Sequence, residues 1–87
     1  MPMSLCTEVV DGDSFHTADG EKIRLEGVNC PEKGKPGWER AKSALERLVL
    51  NKVVRYEGVA RDTWGRVVAR VWVDGVDVNE AMRRVCP

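Results

Sequence analysis

This chain of 87 residues has no run long or apolar enough to cross a bilayer as a helix. Its opening Met1-Pro2-Met3-Ser4 lacks the basic and apolar regions of a signal peptide. The default expectation is therefore no membrane association and a cytoplasmic location, with export open if the chain is part of a longer protein. Repeats, linkers and low-complexity stretches are also missing, so one domain with one core, residues 1–87, is expected. The three cysteines, Cys6, Cys30 and Cys86, are odd in number and lack metal-ligand spacing, which argues against a structural zinc site. Three reduced thiols in a reducing compartment are the expected state, with a Cys6–Cys86 bridge as the open alternative. Net charge is absent too: 14 Lys and Arg balance 14 Asp and Glu. On overall charge alone that counts against a nucleic-acid partner.

The distribution of charge says something different. Residues 1–21 hold five acids (Glu8, Asp11, Asp13, Asp19 and Glu21) and no Lys or Arg, so all 14 bases lie in the remainder against nine acids. Such a split suits a cation site beside a phosphate-binding surface, and equally a soluble surface of interspersed charges. With 43% apolar residues the chain can fill one small core. A domain of this size buries only about 60–65% of the surface its unfolded form exposes, so modest stability is expected.

Period-two patterning places strands at 5–10, 14–17, 22–28, 52–59 and 66–73. Asp19-Gly20 and Asp74-Gly75 supply hairpin turns between them. From Trp38 to Leu50 the period changes, with Trp38, Ala41, Leu45, Leu48 and Val49 on one helical face and Asn51 as a left-handed stop. Asp77-Val78-Asn79-Glu80 has the form of a capping box that opens a short final helix, with Asn79 and Glu80 as structural caps. Three strands, a helix, two strands and a short C-terminal helix predict a mainly β domain with some α, a five-stranded OB-fold-like barrel. That architecture hosts many functions and does not choose among them.

Four short pieces carry the chemistry: Asp11-Gly12-Asp13, Ile23-Arg24-Leu25, Pro31-Glu32 and Asp62-Thr63-Trp64-Gly65-Arg66. They combine carboxylates able to hold a hard cation with two arginines whose planar forks match phosphate oxygens. This is the inventory of metal-assisted phosphodiester cleavage. His16, the single histidine, falls on the strand face opposite Asp13 and is expected to be an exposed strand residue rather than a general base.

In order and spacing these pieces resemble the staphylococcal nuclease (thermonuclease-like) family, from about Val9 to Val85. Val10-Asp11-Gly12-Asp13-Ser14-Phe15 is similar to the family's opening motif. Ile23 to Glu32 is similar to its central motif, and Asp62 to Arg66 to its last. The resemblance implies calcium on Asp13, Asn29 and the Cys30 carbonyl, with Asp11 behind them. It further implies Glu32 as general base, Arg24 and Arg66 as phosphate clamps, and Trp64 as a base-stacking residue where tyrosine is common. Asn29 departs from the pattern, because the family usually has aspartate there. An amide oxygen keeps a ligand but removes a full negative charge, so a weakened calcium site is expected.

The implied activity is a calcium-dependent nuclease acting on DNA or RNA, as a monomer by default. The alternative is a module of the same fold that binds nucleic acid or a protein without cleaving. Longer family members carry further C-terminal helices. This sequence reaches only Cys86-Pro87, either as a minimal member or as part of a longer chain.

Overall fold

The computed structural model describes residues 2–87. Six strands and two helices follow one another as β1 (Met3–Asp11), β2 (Ser14–Thr17), β3 (Lys22–Leu25), α1 (Trp38–Val49), β4 (Val53–Arg61), β5 (Val67–Val73), β6 (Val76–Asp77) and α2 (Val78–Val85). β1, β2 and β3 form an antiparallel meander, and β1 also pairs with β4, β4 with β5, and β5 with the two-residue β6. A parallel pairing of β3 with β5, Ile23 beside Val67 and Leu25 beside Ala69, closes five strands into a ring. The expected five-stranded barrel with a helix between its third and fourth strands is what forms.

One long strand can serve two sides of so small a ring because it bends. β1 pairs with β4 through Met3, Ser4 and Leu5, then with β2 from Cys6 to Asp11, and its register slips between Cys6 and Glu8 and again between Val9 and Asp11. Each slip inserts an unpaired residue that sharpens the local twist. Alternation then fills the interior: Phe15, Ile23, Leu25, Val54, Ala69 and Val71 are fully buried, and on β5 the alternate residues Val68, Arg70 and Trp72 are more exposed. α1 closes one end with Ala41, Leu45 and Val49, and α2 adds Val78 and Met82.

The turn chemistry follows the backbone. Asn51 (φ 62°), Asp74 (φ 51°) and Gly75 (φ 81°) sit in the left-handed region, where short polar residues and glycine carry the least strain. β3 stops at Leu25, three residues before the sequence pattern suggests, because Gly27 (φ 74°) turns the chain away. Gly12 is required for another reason. A Cβ there would lie 2.6 Å from the Ala41 Cβ and 2.8 Å from the Cys30 Sγ, so the β1–β2 turn packs directly on α1 and on Cys30.

Two expectations need correction. The cysteines are not all reduced, and the bridge is not Cys6–Cys86: Cys30 is bonded to Cys86, and Cys6 is a free thiol in the core. Cys6 faces the barrel interior from β1, whereas Cys86 follows α2 and meets the loop after β3. Linking positions separated by 56 residues removes about 4 kcal/mol of loop-closure entropy from the unfolded chain. Asn79, expected as a helix cap, is a buried cross-brace. Its Oδ1 accepts from the Val71 amide (2.8 Å), and its Nδ2 donates to the carbonyls of Glu26 (2.9 Å) and Ala69 (3.0 Å). The cap is Asp77, whose side chain accepts from the Glu80 amide at 3.0 Å.

Candidate functional site

Asp13 occupies the tight turn between β1 and β2. Its own carbonyl accepts from the Leu25 amide (2.8 Å), which fastens the turn to the end of β3. The residue is buried, and Oδ2 accepts from the Cys30 amide at 3.0 Å. Oδ1 accepts no hydrogen bond among the described residues. Arg24 projects from the outer side of β3, and its Nη2 lies 3.7 Å from Asp13 Oδ2. Nη1 donates to the carbonyls of Leu25 (2.8 Å) and Val28 (2.9 Å), and Nη2 donates to Asn29 Oδ1 (2.6 Å). Three of the five N–H groups are thereby engaged, which fixes the guanidinium plane and leaves Nε–H and one Nη2–H for an incoming anion.

Asp13, Arg24, Asn29 and the Cys30 amide therefore form one cluster, drawn together by the β1–β2 turn and the loop that follows β3. Arg66 closes the hairpin that leads into β5. The parallel pairing sets Arg24 beside Val68, and Arg66 immediately precedes β5, two residues before Val68. Its Nε donates to Asp62 Oδ2 at 2.7 Å, and its terminal nitrogens donate to none of the described residues. Asp62 organises the whole hairpin by also accepting from the amides of Trp64 (3.0 Å) and Arg66 (2.9 Å). Desolvation pushes the Asp62 carboxyl up. The hydrogen bonds from Arg66 and Trp64 and the Arg66 charge outweigh it and hold the group below its ordinary value. In sequence Asp62 is only the start of its motif, with no role given to it, although an Asp opening a turn that ends in glycine is an Asx-turn signal.

The remaining candidates share no side-chain hydrogen bond with the cluster among the described residues. Trp64 is 78% exposed at the tip of the β4–β5 hairpin. Glu32 is exposed on the loop before α1, and its side chain makes no hydrogen bond among the described residues. Asp11 points to α1, where its Oδ1 accepts from Trp38 Nε1 at 2.8 Å. His16, half-exposed on β2, pairs with Glu8 at 3.3 Å, in line with the strand role given to it.

As a cation site the cluster is sparse. Among the described residues no three Asp, Glu, His or Cys side chains gather closely enough to hold a metal ion. The oxygen donors here are one carboxylate, the Asn29 amide already engaged by Arg24, and backbone carbonyls. Calcium takes six to eight oxygens and gains affinity with each charged one. The donor set fits a hard cation held weakly and largely by water, not a tightly bound resident ion. The N–H groups that Arg24 keeps unengaged among the described residues can instead donate to an anion's oxygens.

Comparison with known proteins shows the family. The family profile described as Staphylococcal nuclease homologue matches residues 22–85. An Uncharacterized endonuclease of Escherichia coli is 34% identical over 80 residues, covering 87% of this chain and 52% of that protein. The Probable staphylococcal-like nuclease CAN1 of Oryza sativa subsp. japonica is 38% identical over 61 residues, covering 70% of this chain and 18% of that protein. Protein ParB of Escherichia coli is 30% identical over 69 residues, covering 76% of this chain and 39% of that protein. The chain thus spans about half the length of the bacterial endonuclease it matches, and less of the others.

Proposed function

Because this chain belongs to the staphylococcal nuclease homologue family, we propose that it hydrolyses phosphodiester bonds in DNA or RNA at the face shared by Arg24 and Arg66. The observation that supports the reading is the parallel β3–β5 pairing, which brings Arg24 on β3 close to the start of β5, where Arg66 immediately precedes Val67. Arg24 is held in place by carbonyls and Asn29, and Arg66 by Asp62, so neither guanidinium needs to reorganise when a phosphate arrives. Donors fixed in advance stabilise the charge that develops on the non-bridging oxygens as water attacks. Glu32, an exposed carboxylate near the cluster in sequence, takes the proton of that water. In-line displacement then releases the 5′ oxygen.

Asp13, the Asn29 amide oxygen and the Cys30 carbonyl are the groups that would hold a calcium ion, weakly, since only one of them carries charge. When bound, such an ion supplies Lewis-acid polarisation of the phosphate and lowers the pKa of nearby water.

A second reading has an observation of its own. Asn29 Oδ1 is already bonded to Arg24, an arrangement that suits a module which binds phosphates without cleaving them.

The test is cleavage of single-stranded DNA and RNA in millimolar calcium and in chelator, with Glu32→Ala and Arg24→Ala alongside. Loss of about 10²–10⁴ in rate for Glu32→Ala is the expected result. Cleavage unchanged by either variant would overturn the assignment. Oligonucleotide binding without cleavage would establish the second reading, and Asn29→Asp would then show whether one added charge restores turnover.

A further inference from the structure

We infer that the Cys30–Cys86 disulfide is a positioning element of the phosphate site, so that breaking it switches the site from an aligned to a loosened state. The inference rests on the nuclease reading for its catalytic consequence, but its geometric part stands separately.

Residues 28–30 belong to no helix or strand, yet this stretch sets the cluster. Asn29 orients Arg24, and the Cys30 amide holds Asp13. The Cys30 side chain is wedged against Gly12, where an added Cβ would come within 2.9 Å of the Cys30 Cβ and 2.8 Å of its Sγ. On the far side, the bond to Cys86 ties the same residue to the end of α2. The stretch is thus clamped between the turn that carries Asp13 and a helix that is itself anchored elsewhere. That anchoring comes from buried Val78 and Met82 and from the three hydrogen bonds of Asn79, all in the first turns of α2. Breaking the disulfide therefore frees the last turn of α2 and the 28–30 stretch, while the start of α2 and the barrel stay in place.

The bond is open to exchange. Cys30 and Cys86 are both half-buried, and a surface groove lined by Asn29, Pro31, Arg40, Val85 and Cys86 runs beside them. A thiolate of an external dithiol attacks the Cys86 sulfur, and Cys30 leaves as a thiolate that takes up a proton. The second thiolate of the reductant then attacks its own sulfur in the mixed disulfide. Cys86 is released as a thiol and the reductant departs as a disulfide, two electrons having passed to the protein. Cys6 takes no part. Its thiol is sealed in the core and burial pushes its pKa up to about 11, so it offers almost no thiolate for reshuffling.

The experiment compares oxidised and dithiothreitol-reduced wild type at about 10 °C, near the maximum of a typical stability curve. It reads far-UV circular dichroism, amide exchange at Cys30, and kcat and KM for oligonucleotide cleavage. Cys86→Ser and Cys6→Ser are measured alongside. Reduction is expected to speed Cys30 amide exchange about tenfold or more while Val71 stays protected, and to lower kcat about 10- to 100-fold, the scale of a small misalignment at a reacting centre. Reoxidation restores both. Cys86→Ser should resemble reduced wild type and ignore the reductant, and Cys6→Ser should respond as wild type does. Equal kcat and equal Cys30 exchange in the two redox states would overturn the proposal. So would loss of the circular dichroism signal on reduction, because the bond would then be holding the fold. If neither state cleaves, the nuclease reading falls, and the exchange ratio alone decides: a tenfold rise sustains the positioning role, and no change ends it.

Discussion

Asn79 is the residue whose replacement tests the packing argument most severely. It is 2% exposed and ties α2 to β5 and to the turn after β3 with three hydrogen bonds. Asn79→Ala removes all three without removing their partners. The Ala69 carbonyl keeps a bond from the Glu26 amide at 2.9 Å, so it is not left bare. The Val71 amide and the Glu26 carbonyl lose their partner. Two orphaned groups at about 1–3 kcal/mol each give a loss of about 4 kcal/mol. For a domain of this size that corresponds to a fall in Tm of roughly 15–30 °C. Asn79→Asp sharpens the test. An ionised carboxylate still accepts from Val71 but faces two carbonyl oxygens with no proton to give them, so the folded state raises its pKa. A raised folded pKa means that stability is present below the unfolded value, about 3.9, and is lost as pH rises through the folded one. Measured by thermal denaturation against wild type from pH 4 to 8, the deficit of Asn79→Asp should grow with pH while that of Asn79→Ala stays level. An Asn79→Ala protein within about 1 kcal/mol of wild type, or an Asp variant with a flat deficit, would refute the reasoning.

Three other perturbations follow from particular contacts. Gly12→Ala forces a Cβ onto the Ala41 and Cys30 Cβ atoms, which cannot rotate away; a loss of about 1–3 kcal/mol in denaturant unfolding is expected, partly recovered by Ala41→Gly. Cys6, raised from 9.0 to about 11 by burial, favours the folded state fully below pH 9 and loses that contribution as pH climbs toward 11. Wild type should therefore lose about 2–3 kcal/mol more over that interval than Cys6→Ala, read from urea midpoints. Trp64→Ala removes a side chain that is 78% exposed, so Tm should hold while oligonucleotide affinity, by fluorescence anisotropy, weakens by about 1–3 kcal/mol. Unchanged affinity would remove Trp64 from the binding surface.

How far the sequence could be read depended on whether a feature is local. Strand alternation and the polar left-handed residues Asn51 and Asp74 are decided within a few residues, and they placed β2, β5, α1 and the turns correctly. β3 was overextended because Glu26-Gly27 continues the alternation in letters while Gly27 reverses the chain in space. The disulfide was missed for a different reason: only the packing of α2 against the loop after β3 selects Cys30 over Cys6 as the partner of Cys86. Asn79 was misread because a cap and a buried brace share one sequence pattern, and burial alone separates them. The cluster of Asp13, Arg24, Asn29 and Cys30 was named from a family resemblance. Its hydrogen bonds were not legible, since choosing Asn29 rather than Glu26 as a partner for Arg24 depends on where β3 ends.

The ring closure bears on how such a chain comes to life. β1 through β3 can pair as soon as they exist, since each follows its neighbour by a short turn. The parallel contact of β3 with β5 must wait until α1 and β4 have formed, and joining strands so distant in the chain is intrinsically slow. Arg24 lies on β3 and Arg66 immediately before β5, the two strands that this late step unites. On the proposed reading, a chain refolding from denaturant carries both Arg24 and Arg66 yet has no shared face on which to hold a phosphate. Recovery of oligonucleotide binding after a refolding jump should accordingly track the slowest folding phase and not the earlier burst of secondary structure. On the proposed reading, no nucleic acid is held until that last seam closes.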